Sequence, residues 1–76
     1  MPAARDPATD DALKKVGAAI RRQRVAVEMT QDDLAEAAGL HLRTVQKIEA
    51  GNINILITTM QRIRAGIGCT WDKLLD

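Results

Sequence analysis

The sequence has few of the residues that bind metals or cross-link small domains. It contains one cysteine, Cys69, and one histidine, His41, with no CxxC pair and no HExxH motif. A structural zinc site needs several such ligands at close spacing, and a disulfide needs a second cysteine. We therefore expect no metal, no cofactor and no internal disulfide. A lone thiol also fits a reducing compartment, which favours the cytoplasm.

Aromatic side chains are almost absent as well. Trp71 is the only one, since the chain has no phenylalanine and no tyrosine. Proteins that read single-stranded nucleic acid stack the bases on several aromatic rings. A nucleic acid bound by this chain should therefore be a duplex, contacted through hydrogen bonds and phosphate groups.

Long apolar runs are also missing. No segment approaches the ~20 apolar residues of a membrane-spanning helix, and the N-terminus lacks the apolar stretch of a signal peptide. The single histidine and single cysteine provide no pairing of a nucleophile with a general base. We expect a cytoplasmic protein that does not enter a membrane and is not an enzyme.

Charge of one sign does not dominate either, because the net charge is only +1. The basic residues are nevertheless grouped, at positions 14–24, at Arg43 and Lys47, and at Arg62 and Arg64. Solvated helix faces would produce the same grouping. Charge alone therefore does not decide whether the partner is a nucleic acid.

Hydrophobic periodicity predicts a first helix that follows a cap at Thr9 or Asp10 and runs to about Val27. Residues 1–9 contain two prolines and several small side chains, so we expect a disordered tail there. Residues 10–76 then form a single domain. The apolar positions of the first helix recur at helical spacing: Leu13, Val16, Ile20 and Val27.

The sharpest local signal is Thr30, followed three residues later by Asp33. A threonine can cap the free amides of a new helix while the acidic side chain reaches back to the cap residue. The second helix that starts here is short, because Gly39 ends it.

A third short helix should run from His41 or Leu42 to Ala50, where Gly51 ends it. Two short helices that meet at a tight glycine-containing turn form a helix-turn-helix by spacing alone. Their buried seam should consist of Leu34, Ala35, Ala38, Val45 and Ile48.

Two further helices complete the prediction, at about residues 56–67 and 71–75, with Gly68 between them and Thr70 as a cap. The core of so small a domain contributes only about 3–5 kcal/mol, so oligomerisation would help. The residues expected to face inward are Ile57, Met60, Ile63, Ile67, Trp71, Leu74 and Leu75.

The segments 29–40 (MTQDDLAEAAGL) and 44–51 (TVQKIEAG) closely resemble the lambda-repressor/Cro-like, or XRE-type, helix-turn-helix family of transcriptional regulators. The resemblance extends from about Gly17 to Leu75. It implies an all-α fold of five helices in which helices two and three form the DNA-reading unit. It also implies that the third helix lies in the major groove with its N-terminal residues against the base edges.

By position, the resemblance implies that five residues of the third helix face the bases: Leu42, Arg43, Thr44, Gln46 and Lys47. Phosphate contacts are expected from the residues around that helix and at the start of the second: Gln31, His41, Asn52 and Asn54. The resemblance further implies an internal ion pair between Arg24 and Glu49, which would orient the third helix without touching DNA.

Several roles on the third helix stay open at the level of sequence. Arg43 can donate two bonds to guanine, with about 1–3 kcal/mol of discrimination, or it can contact a phosphate. Gln46 suits adenine or a backbone oxygen, and Lys47 suits phosphate, guanine or solvent. Leu42 either packs on thymine methyl groups or folds back onto the protein. Thr44 either contacts a thymine methyl or supports the helix.

One reading helix per chain gives weak binding, so we expect a homodimeric repressor or controller protein on a near-palindromic operator. The segment Ile53–Ile57 supplies more aliphatic side chains than one helix start can bury, which favours a dimer contact nearby. The expected interface residues are Ile55, Arg64, Trp71 and Leu75. The alternative is an antitoxin-type or other protein-interaction module with a protein partner of unknown identity.

Overall fold

The computed structural model describes residues 7–75, and in that range it contains five α-helices and no strand. The helices are α1 (Pro7–Ala26), α2 (Gln31–Ala38), α3 (Leu42–Glu49), α4 (Ile57–Ile67) and α5 (Trp71–Leu75). The all-α class and the five predicted helices are confirmed. Within the same range, no helix is long and apolar enough to cross a membrane.

Helix α1 begins at Pro7, earlier than the cap predicted at Thr9 or Asp10. Proline is tolerated in the first turn of a helix because its missing N–H would have no helical partner there. Residues 1–6 of the predicted tail lie outside the described residues. At its other end α1 stops at Ala26, and Val27 is 50% exposed instead of facing the core.

Helix α2 begins with the predicted capping box. The Thr30 hydroxyl accepts a hydrogen bond from the Asp33 backbone N–H at 3.0 Å, and the Asp33 carboxylate accepts one from the Thr30 N–H at 2.9 Å. The Thr30 backbone N–H lowers the pKa of Asp33, because it stabilises the charged carboxylate. The cap therefore stabilises the fold at neutral pH and weakens as the pH falls and Asp33 becomes protonated.

The turn between α2 and α3 is closed by Gly39, which adopts the left-handed conformation with φ of 69°. This conformation lets the Leu40 N–H bond to the carbonyl of Ala35 at 2.8 Å, so the chain reverses directly after α2. Helix α3 follows His41, whose side chain makes no capping hydrogen bond. The predicted helix-turn-helix arrangement is confirmed.

Each helix contributes one large, fully buried side chain to a single core. These side chains are Ile20, Leu34, Val45, Ile63 and Leu74, from α1 to α5 in order. Helix α1 packs against α3, α4 and α5, and α2 packs against α3 and α4. The DNA-reading unit predicted for α2 and α3 is therefore held by α1 and α4, and α5 packs against α1.

Two residues predicted to face inward are exposed: Ile57 by 65% and Leu75 by 57%. Ile57 opens α4, where the first turn projects beyond the core, and Leu56 before it is 70% exposed. In α5, Leu74 occupies the buried position, which leaves the adjacent Leu75 on the solvent side. Trp71 is half-buried and packs against the core as expected.

The backbone of helix α1 lies directly against the backbone at the end of α3. A Cβ atom added to Gly17 would lie 2.4 Å from the carbonyl oxygen of Ile48 and 2.7 Å from that of Glu49. A Cβ atom on Gly51 would likewise lie 2.8 Å from the Cα of Lys14. The missing side chains at Gly17 and Gly51 therefore set how close α1 and the end of α3 can come.

Replacing Gly17 with alanine should destabilise the protein by about 3 kcal/mol through overpacking, although alanine is the better helix former by about 1 kcal/mol. Gly39→Ala is the control, since its Cβ would meet nothing within 4 Å and only its φ of +69° is unfavourable. That variant should lose about 1 kcal/mol. Urea titration measures the free energy of unfolding of both variants. A Gly17→Ala protein as stable as the wild type would contradict the close approach.

Candidate nucleic-acid interface

The structure brings Arg24 of α1 and Glu49 of α3 together in a buried, two-point ion pair. The Arg24 Nε donates to Glu49 Oε2 at 2.7 Å, and its Nη2 donates to Oε1 at 3.0 Å. The two side chains are only 9% and 3% exposed. The hydrogen bond to Glu49 raises the pKa of Arg24, so the guanidinium stays charged under all ordinary conditions.

The pair is the centre of a larger polar cluster. The remaining Arg24 nitrogen, Nη1, donates to the backbone carbonyl of Met29 at 2.7 Å. The side-chain amide of Gln31 donates to Glu49 Oε1 at 3.1 Å. The cluster thus joins the end of α1, the α1–α2 turn, the start of α2 and the end of α3. The sequence does not predict the contact of Gln31 with Glu49, since it indicates a phosphate contact for Gln31 and only the pair with Arg24 for Glu49.

The turn after α1 carries a second feature that the sequence did not indicate. Glu28 adopts a left-handed conformation, with φ of 60°, at a position where glycine is usual. The Met29 N–H bonds to the Arg24 carbonyl at 3.1 Å, and the Met29 carbonyl accepts from the Arg24 guanidinium. Because Met29 is held at both ends by Arg24, the unfavourable conformation of Glu28 is imposed by its neighbours.

The outer side of α3 presents three long polar side chains, those of Arg43, Gln46 and Lys47, and all three are exposed. Their positions repeat at three- and four-residue spacing, which aligns them along one face of the helix. In the described part of the chain, none of the three makes a side-chain hydrogen bond or ion pair. They are therefore free to contact an external partner, and we call them the reading face.

Two other residues with predicted base contacts are less accessible. Leu42 and Thr44 are half-buried, in the first turn of α3. Leu42 is not one of the half-buried apolar side chains that pack against the core. Whether Leu42 contacts thymine methyl groups or folds back onto the protein stays a prediction.

The residues predicted to contact phosphate lie around α3. His41 precedes the helix, and Asn52 and Asn54 are exposed in the loop that follows it. The backbone N–H of Asn52 bonds to the Lys47 carbonyl at 2.9 Å, so this loop continues directly from the reading helix. Gln31 differs from the other three, because one of its N–H groups is already committed to Glu49.

An open groove beside Glu49 contains cations to which the sequence analysis gave no role. It is lined by Ala18, Arg21, Arg22 and Val25 of α1, together with Glu49. Both arginines are exposed. The groove adds positive charge to the flank of the helix-turn-helix unit, and an exposed Arg-Arg pair was the available signal in the sequence.

The residues predicted for a dimer contact differ in their exposure and in their contacts with the rest of the chain. The Arg64 side chain contacts residues of its own chain. Its Nη1 donates to the Cys69 carbonyl at 3.3 Å, and the guanidinium lies 5.5 Å from the centre of the Trp71 ring. Ile55 is half-buried and packs against the core, while Leu75 is exposed. Burial also raises the pKa of the Cys69 thiol, so it is not an activated nucleophile.

An exposed polar face on the second helix of a helix-turn-helix, oriented by a buried ion pair, is the arrangement of a DNA-binding domain. A family model described as Helix-turn-helix matches residues 20–74. The chain belongs to this helix-turn-helix family, as its lambda-repressor/Cro-like pattern predicted, and it is a DNA-binding regulator by family and fold. No curated protein sequence matches it.

Solved structures with the same fold include bacterial regulators. The restriction-modification controller protein C.AhdI from Aeromonas hydrophila is 26% identical, with a TM-score of 0.79 over 82% of this chain and 94% of that one. The wild-type controller protein C.Esp1396I is 30% identical, with a TM-score of 0.77 over 80% of both chains. The hypothetical transcription factor NHTF from Neisseria is 27% identical, with a TM-score of 0.78 over 100% of this chain and 86% of that one.

Removing either partner of the ion pair should leave a buried charge unpaired. We predict that Arg24→Ala and Glu49→Ala each lower the free energy of unfolding by about 3 kcal/mol. The double variant should be little worse than either single one, because the two side chains interact directly.

The control for this cycle is the ion pair between Lys15 and Asp11, whose side chains are 75% and 67% exposed. Lys15→Ala should change stability by less than about 0.5 kcal/mol, since water screens an exposed pair. Denaturant titration of all four variants gives the comparison. Losses at Arg24 and Glu49 that simply add would show that the pair is not coupled.

Proposed function

We propose that the chain is a homodimeric transcriptional regulator that binds a near-palindromic DNA operator in the cytoplasm and has no catalytic activity. The observation that carries this proposal is the reading face, Arg43, Gln46 and Lys47, whose exposed side chains make no bond to the rest of the described chain. The buried cluster around Arg24 and Glu49 supports the same proposal, because it fixes the direction of that face.

In this proposal the first turns of α3 read bases from the major groove. Arg43 suits the two acceptors of guanine, and Gln46 suits the donor and acceptor of adenine. Lys47 contacts guanine or phosphate. The methyl groups of Leu42 and Thr44 suit the C5-methyl group of thymine.

Contacts with phosphate would hold the domain on the duplex. His41, Asn52 and Asn54 are exposed on both sides of α3, where the DNA backbone passes a helix that lies in the groove. Gln31 retains one N–H group for a phosphate. These contacts position the protein and contribute affinity that is similar for every sequence.

Two copies are needed to place two reading helices in successive major grooves, ~34–36 Å apart. Exposed aliphatic side chains support a dimer contact at the start of α4 and in α5: Leu56, Ile57 and Leu75. Ile55 and Trp71 lie beneath this surface and Arg64 lies at its rim in the proposal. Ile55 packs against its own core, so Leu56 and Ile57 replace it at the proposed centre of the interface.

A role as a restriction-modification controller is the form of regulation that the structural neighbours favour. Two of the similar structures are controller proteins, C.AhdI and C.Esp1396I, and the identity to the second is 30%. We propose a controller or repressor of this kind, acting through its own concentration. Its gene should then lie beside a restriction or methyltransferase gene, which sequencing of the locus would establish.

Selection of bound duplexes from a random pool tests the reading face. Wild-type protein should select one near-palindromic sequence. Arg43→Ala should relax the preference at one base pair in each half-site, by about 1–3 kcal/mol. Arg62→Ala is the charge-matched control, because Arg62 is exposed on α4 and not on the reading face. If Arg43→Ala selects the wild-type sequence unchanged, Arg43 does not read a base.

Leu56→Asp should give a folded monomer that binds the operator about a hundredfold more weakly, because linked half-sites lose their avidity. Leu56 is the cap residue of α4 and has no side-chain capping bond, so aspartate there suits the helix. Val27→Asp is the control, as an aliphatic side chain of α1 that is 50% exposed. Sedimentation measures the oligomeric state of the wild-type protein and of both variants. A wild-type protein that stays monomeric at micromolar concentration with operator present would disprove the dimer.

A further inference from the structure

The hydrogen bond between Gln31 and Glu49 joins the two ends of the helix-turn-helix unit. Gln31 is the first residue of α2, and Glu49 is the last residue of α3. The turn at Gly39 connects the same two helices at the opposite side of the unit. The bond therefore closes the unit at the side that the chain itself leaves open.

We propose that Gln31 is a positioning residue that sets the sequence preference of the reading face by holding α3 through Glu49. This inference rests on the proposed function, since it concerns which duplex the domain prefers. It goes beyond a phosphate contact at Gln31, because a phosphate contact contributes to the binding of every duplex alike.

The chemistry of the pair determines how the Gln31 amide is turned. Both oxygens of the Glu49 carboxylate act as acceptors and receive three hydrogen bonds, two from Arg24 and one from Gln31. The amide nitrogen of Gln31 must therefore face Glu49. The amide oxygen would meet a carboxylate oxygen if the group were reversed, and the two would repel each other.

The geometry of α3 carries this restraint to the bases. Leu42, Gln46 and Glu49 follow one another at four- and three-residue spacing, so they lie along one side of the helix. Rotation of α3 about its axis would move all three together. A bond that fixes Glu49 therefore also fixes the direction in which Leu42 and Gln46 leave the helix.

The hydrogen bond from Gln31 to Glu49 is shielded from water, which strengthens the restraint on α3. The Glu49 side chain is 3% exposed, and Gln31 is half-buried. Hydrogen bonds to a charged group in such a site are among the stronger ones in proteins. Without Gln31 one of the bonds that orient Glu49 is lost, while the two from Arg24 remain and keep the domain folded.

The experiment compares affinity for the selected operator with affinity for a non-operator duplex, and uses the ratio of the two. Gln31→Ala should lower this ratio about tenfold, near the lower end of what the loss of one hydrogen bond to a charged group removes. Asn52→Ala is the matched control: it removes an exposed amide after α3 and should weaken both duplexes equally. Equal weakening of both duplexes by Gln31→Ala would overturn the proposal.

Gln31→Glu is a second variant that removes the donor while keeping the length and shape of the side chain. Its carboxylate would face the Glu49 carboxylate and has no N–H to donate to it. The ratio for Gln31→Glu should therefore be at least as low as the ratio for Gln31→Ala.

Repulsion between the new carboxylate and DNA phosphates would weaken the binding of both duplexes equally, so it leaves the ratio unchanged. A ratio for Gln31→Glu that equals the wild-type ratio would overturn the proposal. Circular dichroism of each variant confirms that it is folded. Selection with wild-type protein is done first. If it yields no preferred sequence, the proposed function itself is contradicted, independently of the Gln31 variants.

Discussion

The buried ion pair between Arg24 and Glu49 is the contact on which the arrangement of the DNA-binding unit depends. Two charges withdrawn from water are tolerated only when they are paired and their remaining hydrogen-bonding groups are satisfied. Glu49 meets this condition through Arg24 and Gln31, and Arg24 through the Met29 carbonyl. The pair joins residues 25 positions apart, so a movement of α3 relative to α1 would lengthen or break its hydrogen bonds.

Apolar packing and the polar cluster make different contributions. The core, with one large side chain from each helix, stabilises the compact state but tolerates small rotations of a helix. The polar cluster tolerates few such rotations, because hydrogen bonds to a carboxylate are directional. Gly17 and Gly51 add a steric limit, since α1 meets the end of α3 backbone to backbone. Burial thus provides stability, and the cluster with the two glycines provides orientation.

Local signals in the sequence predicted the local structure well. Thr30 with Asp33, and Gly39, act through bonds to residues a few positions away, so their roles can be read directly. Ile57 was predicted wrongly because periodicity identifies an apolar face but not where the helix extends past the core. The contact of Gln31 with Glu49 joins residues 18 positions apart, which no local pattern describes. The left-handed conformation of Glu28 depends on a bond from the Arg24 side chain, whose direction is set by its distant partner Glu49. The bases that Arg43 and its neighbours would contact depend on a DNA surface outside the chain.

The separation between residues that hold α3 and residues that would read DNA has a consequence for how such a protein can change over evolution. Arg43, Gln46 and Lys47 make no side-chain hydrogen bond or ion pair in the part of the chain described here, so exchanging them alters few internal contacts. Mutations at these positions can therefore accumulate without compensating changes elsewhere. A duplicated copy of the gene could diverge towards a new operator through a handful of substitutions while keeping the ancestral fold.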